Sequence, residues 1–203
     1  MKKLSFAGFL AEWGLFTLFI VGFILSRLYI WSPVTVDGHS MDPTLLDQEH
    51  LIMVRTTSIQ RFDVVVASET DTNGKEKLIV KRVIGMPGDT IRYENDVLYI
   101  NGQEVDEPYL DQYLAAYSQD KLQSVYSYNA NFQALALEST AFTMDANKYA
   151  SFTIQVPENQ YFLLGDDRLV SQDSRHVGTF SADQIEGEIK LRIWPFNRIG
   201  TVQ

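Results

Sequence analysis

The strongest pattern along the chain is one long apolar run followed by many short ones. Residues 6–26 read FAGFLAEWGLFTLFIVGFILS, with Glu12 as the one charge, and the run continues to Trp31. About 20 mostly apolar residues are enough to cross a bilayer as a helix. Arg27 is placed to snorkel to an interface, and Trp13, Tyr29 and Trp31 stand where interfacial aromatics belong. A cleaved signal peptide and a buried core helix are the competing readings. The stretch is longer than a signal-peptide core, and nothing between Ser26 and Val36 offers a good small-x-small pair. The favoured expectation is therefore an uncleaved anchor over 1–32. Lys2 and Lys3 place its N-terminus in the cytoplasm, and Arg27 argues the other way.

Beyond residue 33 the apolar positions change period. Leu51–Arg55, Asp63–Ser68, Leu78–Ile84, Thr90–Tyr93, Val97–Ile100, Phe152–Val156, Tyr161–Leu164 and Ile189–Trp194 are short and rich in Val, Ile, Leu, Phe and Tyr, which predicts strands. Asn73-Gly74 and Asn101-Gly102 read as hairpin turns, and Pro87-Gly88-Asp89 as another turn. The fold class expected is mostly β. It has a single N-terminal transmembrane helix and then an antiparallel barrel-like or sandwich-like domain over 33–203. Residues 108–150 break the pattern with Tyr, Ser, Gln, Asn and Ala, and with short helical signals near Tyr109–Ala116. They read as an inserted subdomain.

Composition narrows the chemistry. The chain has 203 residues and no cysteine, which excludes disulfides, cysteine-based zinc sites and a thiol nucleophile. Its net charge of −9 argues against nucleic acid as a partner. Setting aside Lys2, Lys3, Glu12 and Arg27 leaves 14 basic and 25 acidic residues in 33–203, a net of −11. Membrane contact by that part should be apolar rather than electrostatic, and Met41 is one candidate for it. His39, His50 and His176 have no metal-like spacing, so neither a metal nor an organic cofactor is expected.

Three segments could carry chemistry. Gly38-His39-Ser40-Met41-Asp42-Pro43-Thr44-Leu45 puts a serine on a turn close behind the apolar run; a capping serine is the plain alternative. In Leu78–Ile84, a period of two sets Lys81 on one face and Arg82 on the other, among apolar neighbours. If both faces are covered, a buried lysine has a depressed pKa and can act as a base. Arginine cannot do so, and belongs in an ion pair. An edge strand with both heads in water is the alternative. Gly165–Gly178 gathers three aspartates, two arginines and two serines, which is either a hydrogen-bonded network or a solvated loop.

In order and spacing, Ser40–Leu45, Arg61-Phe62-Asp63-Val64-Val65-Val66, Lys81–Asp89 and Gly165–Arg175 resemble the boxes of bacterial type I signal peptidases, in the Gram-positive form. These are membrane-bound serine proteases that remove signal peptides. The resemblance implies Ser40 as nucleophile, Lys81 as general base and Ser171 as the hydroxyl that orients the lysine. It implies Asp173 and Arg175 as a supporting pair, Asp166 paired with Arg82, and the Ser40 N–H in the oxyanion hole. It further implies a plasma-membrane location, with the catalytic domain outside. The partners are exported preproteins, bound as an added strand and cut after small-x-small sites, and the membrane lipid.

Three positions depart from the pattern. Gly38 stands where some relatives carry a serine that donates to the oxyanion. Asp167 replaces an asparagine, and Phe62 a glycine. A peptidase dedicated to one narrow precursor and a membrane-anchored binding domain are the rival readings. Ser118-Gln119-Asp120-Lys121 with Ser127-Tyr128-Asn129 imitates penicillin-binding motifs, and Asp71-Thr72-Asn73-Gly74 a calcium loop. Both read as coincidence.

Overall fold

The computed structural model describes residues 6–70 and 74–202, with side chains of the first helix described from Trp13 onward. Lys2, Lys3 and residues 71–73, which bear on the topology, hairpin and calcium-loop readings, lie outside the described residues. The chain opens with helix α1 (Phe6–Tyr29), then β1 (Trp31–Thr35), β2 (His50–Val54), β3 (Val64–Thr70), β4 (Glu76–Gly85), β5 (Thr90–Glu94), β6 (Val97–Ile100) and β7 (Gln103–Val105). Helices α2 (Asp111–Asp120) and α3 (Ala130–Glu138) follow. After them come β8 (Ser151–Gln155), β9 (Gln160–Leu164), the single turn α4 (Ser174–Val177), β10 (Phe180–Ser181), β11 (Ile185–Trp194) and β12 (Gly200–Thr201).

Helix α1 covers the run in which a span is expected. Among the described residues, however, no helix is long and apolar enough to cross a membrane.

The strands form two antiparallel sheets. The larger runs β1-β2-β11-β3-β4-β9-β10, with β12 on β11, and the smaller runs β7-β6-β5-β8. The eight strands expected from sequence are present within a few residues. The short β7, β10 and β12 carry too few residues to show a period. Asn101 and Gly102 both adopt positive φ, 53° and 83°, and join β6 to β7 as a two-residue hairpin of the expected kind.

Strand β3 explains why its sequence is continuously apolar rather than alternating. Val64 and Val66 point into one core with Val36, Met41, Leu45, Leu51, Met53 and Ile189. Val65 and Ala67 point into another with Val83, Leu163 and Phe180. A strand covered on both faces has no polar side to show. A third core, around Ile84, Ile91, Tyr93, Leu98, Phe162 and Leu164, fills the space between the two sheets. Met41 belongs to the first core at 1% exposure. It cannot seat the domain on lipid, contrary to the sequence expectation.

Residues 108–150 contain α2, where short helical signals are expected, and α3 beyond it, around a core of Leu110, Tyr113, Leu122, Tyr126, Ala136 and Phe142. Asn129 caps α3 by accepting from the Asn131 and Phe132 N–H groups.

Candidate active site

The turn after β1 carries Ser40. Its flanks are fixed by burial, since Met41 and Leu45 are both core residues. Backbone bonds also hold it: Leu45 N–H donates to Met41 O at 2.9 Å, and Asp167 N–H donates to Ser40 O at 3.1 Å. Among the described residues the Ser40 N–H has no hydrogen-bond partner. The Gly38 N–H is already committed to Asp47 Oδ1 at 2.8 Å.

Lys81 reaches Ser40 from β4. Its Nζ donates to Ser40 Oγ at 2.8 Å and to Val80 O at 3.1 Å. Both cations of the strand are buried, Lys81 at 3% and Arg82 at 1% exposure. The water-facing alternative for this strand therefore does not hold. Burial pulls the Lys81 pKa down to about 8, partly opposed by the nearby Asp173, Glu69 and Asp166 charges.

Arg82 leaves the opposite face of β4 and forms a two-pronged pair with Asp166, Nε to Oδ1 at 2.9 Å and Nη2 to Oδ2 at 2.7 Å. Thr44 Oγ1 donates to Asp166 Oδ2 at 2.5 Å, which ties the serine turn to the same carboxylate. The Arg82 guanidinium also lies 3.9 Å from the Tyr109 ring centroid. Its Nη1 donates to Phe62 O at 2.9 Å. Phe62 has φ of +70°, the left-handed conformation that glycine adopts without cost. This explains a glycine at that position in the resembling pattern. Here the Phe62 ring instead packs against Tyr109, with centroids 5.9 Å apart.

Asp173 sits at the start of α4. Burial would push its pKa up, but Arg175, bonded at 2.8 Å through both Nε and Nη2, and the Gly165 N–H at 3.0 Å hold it down to about 2. Ser171 is buried beside this pair. Among the described residues its hydroxyl has no hydrogen-bond partner, although it lies close enough to Asp173 to help hold that carboxyl down. The expected bond from Ser171 to Lys81 is thus not made in this conformation.

Gly165 is what lets these pieces meet. A Cβ there would collide with Ser171 Oγ and with the Ser40 carbonyl oxygen.

Asp167 is fully buried, and burial raises its pKa to about 7 despite the Tyr126 hydroxyl donated at 2.5 Å. Asp42 is raised to about 6 by burial as well, against His39 Nδ1 at 3.1 Å. Thr44, Tyr109 and Tyr126 do not stand out as site residues in the sequence. Thr44 lies inside a recognisable box, whereas Tyr126 sits in the polar stretch with no period or motif to mark it. Of the mimicking residues, Lys121 donates to Tyr117 OH at 3.1 Å and to Ser139 O, and Ser118 is exposed and takes no part. Among the described residues no cluster of potential ligands could hold a metal.

A cleft of about 500 Å³ opens beside Ser40, lined by Pro33–Asp37 on one side and Lys77–Lys81 on the other, with Val66 and Met41 at its floor. Strand β1 is the edge of its sheet, and β4 pairs β9 only from Arg82 onward. The cleft therefore has backbone edges on both walls.

A serine hydroxyl bonded to a buried lysine at the end of such a cleft is the arrangement of an acyl-transfer hydrolase that works without histidine. The comparisons with known proteins name the family. The one described as signal peptidase, peptidase S26, matches residues 10–194, and the chain belongs to it. A signal peptidase I of Streptococcus pneumoniae serotype 4 is 58% identical over 204 residues, covering 97% of this chain and 98% of that protein. A signal peptidase IB of Staphylococcus aureus is 37% identical over 196 residues, covering 93% and 91%. A crystal structure of a signal peptidase I from Enterococcus faecalis V583 aligns at 30% identity and a TM-score of 0.45, over 65% of this chain and 97% of that one.

Proposed function

We propose that the chain is a type I signal peptidase, a serine endopeptidase that removes signal peptides from preproteins. The observation that carries this reading is the 2.8 Å bond between Ser40 Oγ and a lysine whose pKa burial lowers to about 8. Near-complete alignment with signal peptidases of 58% identity supports the substrate class.

In this mechanism Ser40 Oγ attacks the scissile carbonyl as neutral Lys81 takes its proton. The negative charge that develops on the carbonyl oxygen is met by the free Ser40 N–H. Lys81 then protonates the leaving amine, and an ester joins Ser40 to the signal peptide. Water deprotonated by Lys81 releases that ester. We assign Ser171 to orient the lysine amine during turnover, and Asp173 with Arg175 to hold the Ser171 loop in place. The Arg82–Asp166 pair fixes the strand behind the base. Gly38 contributes backbone freedom rather than an oxyanion donor, since its N–H is taken by Asp47.

The substrate binds as an extended segment in the cleft between β1 and residues 77–81, making main-chain bonds as an added strand. Small residues before the cut fit its apolar floor. We further propose that 1–32 anchors the protein in the plasma membrane, with 33–203 outside the cell as the catalytic domain. What supports this is the sequence, in which residues 6–26 carry one charge, and the exposed apolar side chains of α1, although no helix among the described residues is by itself long and apolar enough to cross a membrane.

The test is the cut site. A preprotein with an Ala-x-Ala site is incubated with the full chain in detergent, and the N-terminus of the product is sequenced. A single cut directly after that site supports the reading. Cuts elsewhere, or cleavage of folded proteins lacking a signal peptide, contradict it.

A further inference from the structure

We propose that Tyr126 and Asp167 are positioning residues for the nucleophile, so that the helical segment over 108–150 acts as a clamp on the serine turn. The inference rests on Ser40 being the nucleophile.

The contact runs through one backbone bond. Asp167 N–H donates to the carbonyl oxygen of Ser40 itself at 3.1 Å, and so fixes the peptide plane that leaves the nucleophile. Where that N–H lies depends on the Asp167 side chain, which is fully buried and receives the Tyr126 hydroxyl at 2.5 Å. Tyr126 is itself fully buried, on the connection between α2 and α3. Its ring is wedged against Tyr113, with centroids 6.4 Å apart, and Phe132, at 5.6 Å.

A second contact comes from the same segment. The rings of Tyr128 and Phe132 lie 5.0 Å and 6.0 Å from the ring of His39, the residue before the nucleophile. The serine turn is thus held on both sides of Ser40 by the helical segment, and the Tyr126–Asp167 bond is its polar grip. The second Asp167 oxygen has no hydrogen-bond partner among the described residues. A buried carboxyl with a single side-chain donor is costly for folding alone. An asparagine would accept the same hydroxyl with no charge to bury.

The test compares full-length Tyr126→Phe, Asp167→Ala, Asp167→Asn, the Tyr126→Phe/Asp167→Ala double variant and Ser40→Ala on one preprotein, well below each melting temperature. Misplacing a reacting group by a fraction of an ångström costs on the order of tenfold or more in rate. Tyr126→Phe should lower kcat about tenfold with KM unchanged. Asp167→Ala should lower it at least as much, and the double variant should fall no further than Asp167→Ala alone. Asp167→Asn, which keeps an acceptor for the hydroxyl, should stay within about threefold of wild type. The inference is overturned if Tyr126→Phe keeps wild-type kcat while only its melting temperature drops, if the loss lies in KM, or if the two single losses multiply. Should Asp167→Ala fail to fold, the near-isosteric Tyr126→Phe and Asp167→Asn still decide the matter. Should Ser40→Ala cut at the wild-type rate, the assignment of the nucleophile fails instead. An inactive Ser40→Ala beside an unaffected Tyr126→Phe removes the clamp alone.

Discussion

At the scale of single residues, the proposed catalysis turns on what burial does to Lys81. The amine must be neutral to accept a proton, and with a pKa of about 8 roughly one molecule in ten is in that form at pH 7. Activity should therefore rise with pH between about 6 and 9, with its midpoint near 8. A pH–rate profile at saturating preprotein that is flat across that window would remove Lys81 as the base. The same shift has a stability cost. The folded pKa lies below the unfolded value of about 10.5, so the cost is fully present below about 8 and fades as the pH rises to 10.5. It amounts to about 3 kcal/mol, by 1.36 kcal/mol per unit. Lys81→Met should thus raise the melting temperature at pH 7 by a few degrees while abolishing cleavage; a lower melting temperature would mean that the lysine supports the fold. The burial of Lys81 is legible from a period of two in an apolar strand. The conformation of Ser171 is not, because a rotamer leaves no trace in sequence. Tyr126 is hidden for a related reason: its partner is 41 positions away and nothing local records the pairing.

Secondary elements bring the site together by crossing closely. Strand β4 delivers a cation from each face, Lys81 to the serine and Arg82 to Asp166, and the loop after β9 slides between them. Gly165 is the point of closest approach. Gly165→Ala would force apart the Ser40 carbonyl and Ser171 and cost about 1–3 kcal/mol as overpacking. It should lose nearly all activity while still unfolding cooperatively in urea. Wild-type cleavage by this variant would show that the close approach is dispensable. The strands themselves are largely legible, because β-branched and aromatic runs between turn residues survive tertiary packing. The second helix of 108–150 is not. Its sequence, ANFQALALE, carries a capping asparagine before it, but the polar surroundings mask the signal.

For the whole molecule, charge and apolar surface divide the labour. A net charge of −9 does not favour electrostatic attraction to anionic lipid, so the proposed anchoring rests on α1. Its described apolar side chains are largely uncovered by protein; Leu15 is 86% exposed and Leu18 69%. The full chain should sediment with zwitterionic lipid vesicles and stay bound in high salt. Release by salt would point to a surface-bound protein instead. The four boxes alone are enough to place the molecule in its family. What they do not carry is the clamp geometry, which depends on how the helical segment docks.

The central claim is that one serine and one lysine perform the cleavage. Its most direct test is the rate of preprotein processing by wild type, Ser40→Ala and Lys81→Ala, each verified as folded, at a pH above 8. Wild type should cut and both variants should fall by about 10⁴-fold or more, as when a group that acts as part of a unit is removed. Processing at the wild-type rate by either variant would contradict the assignment of the pair.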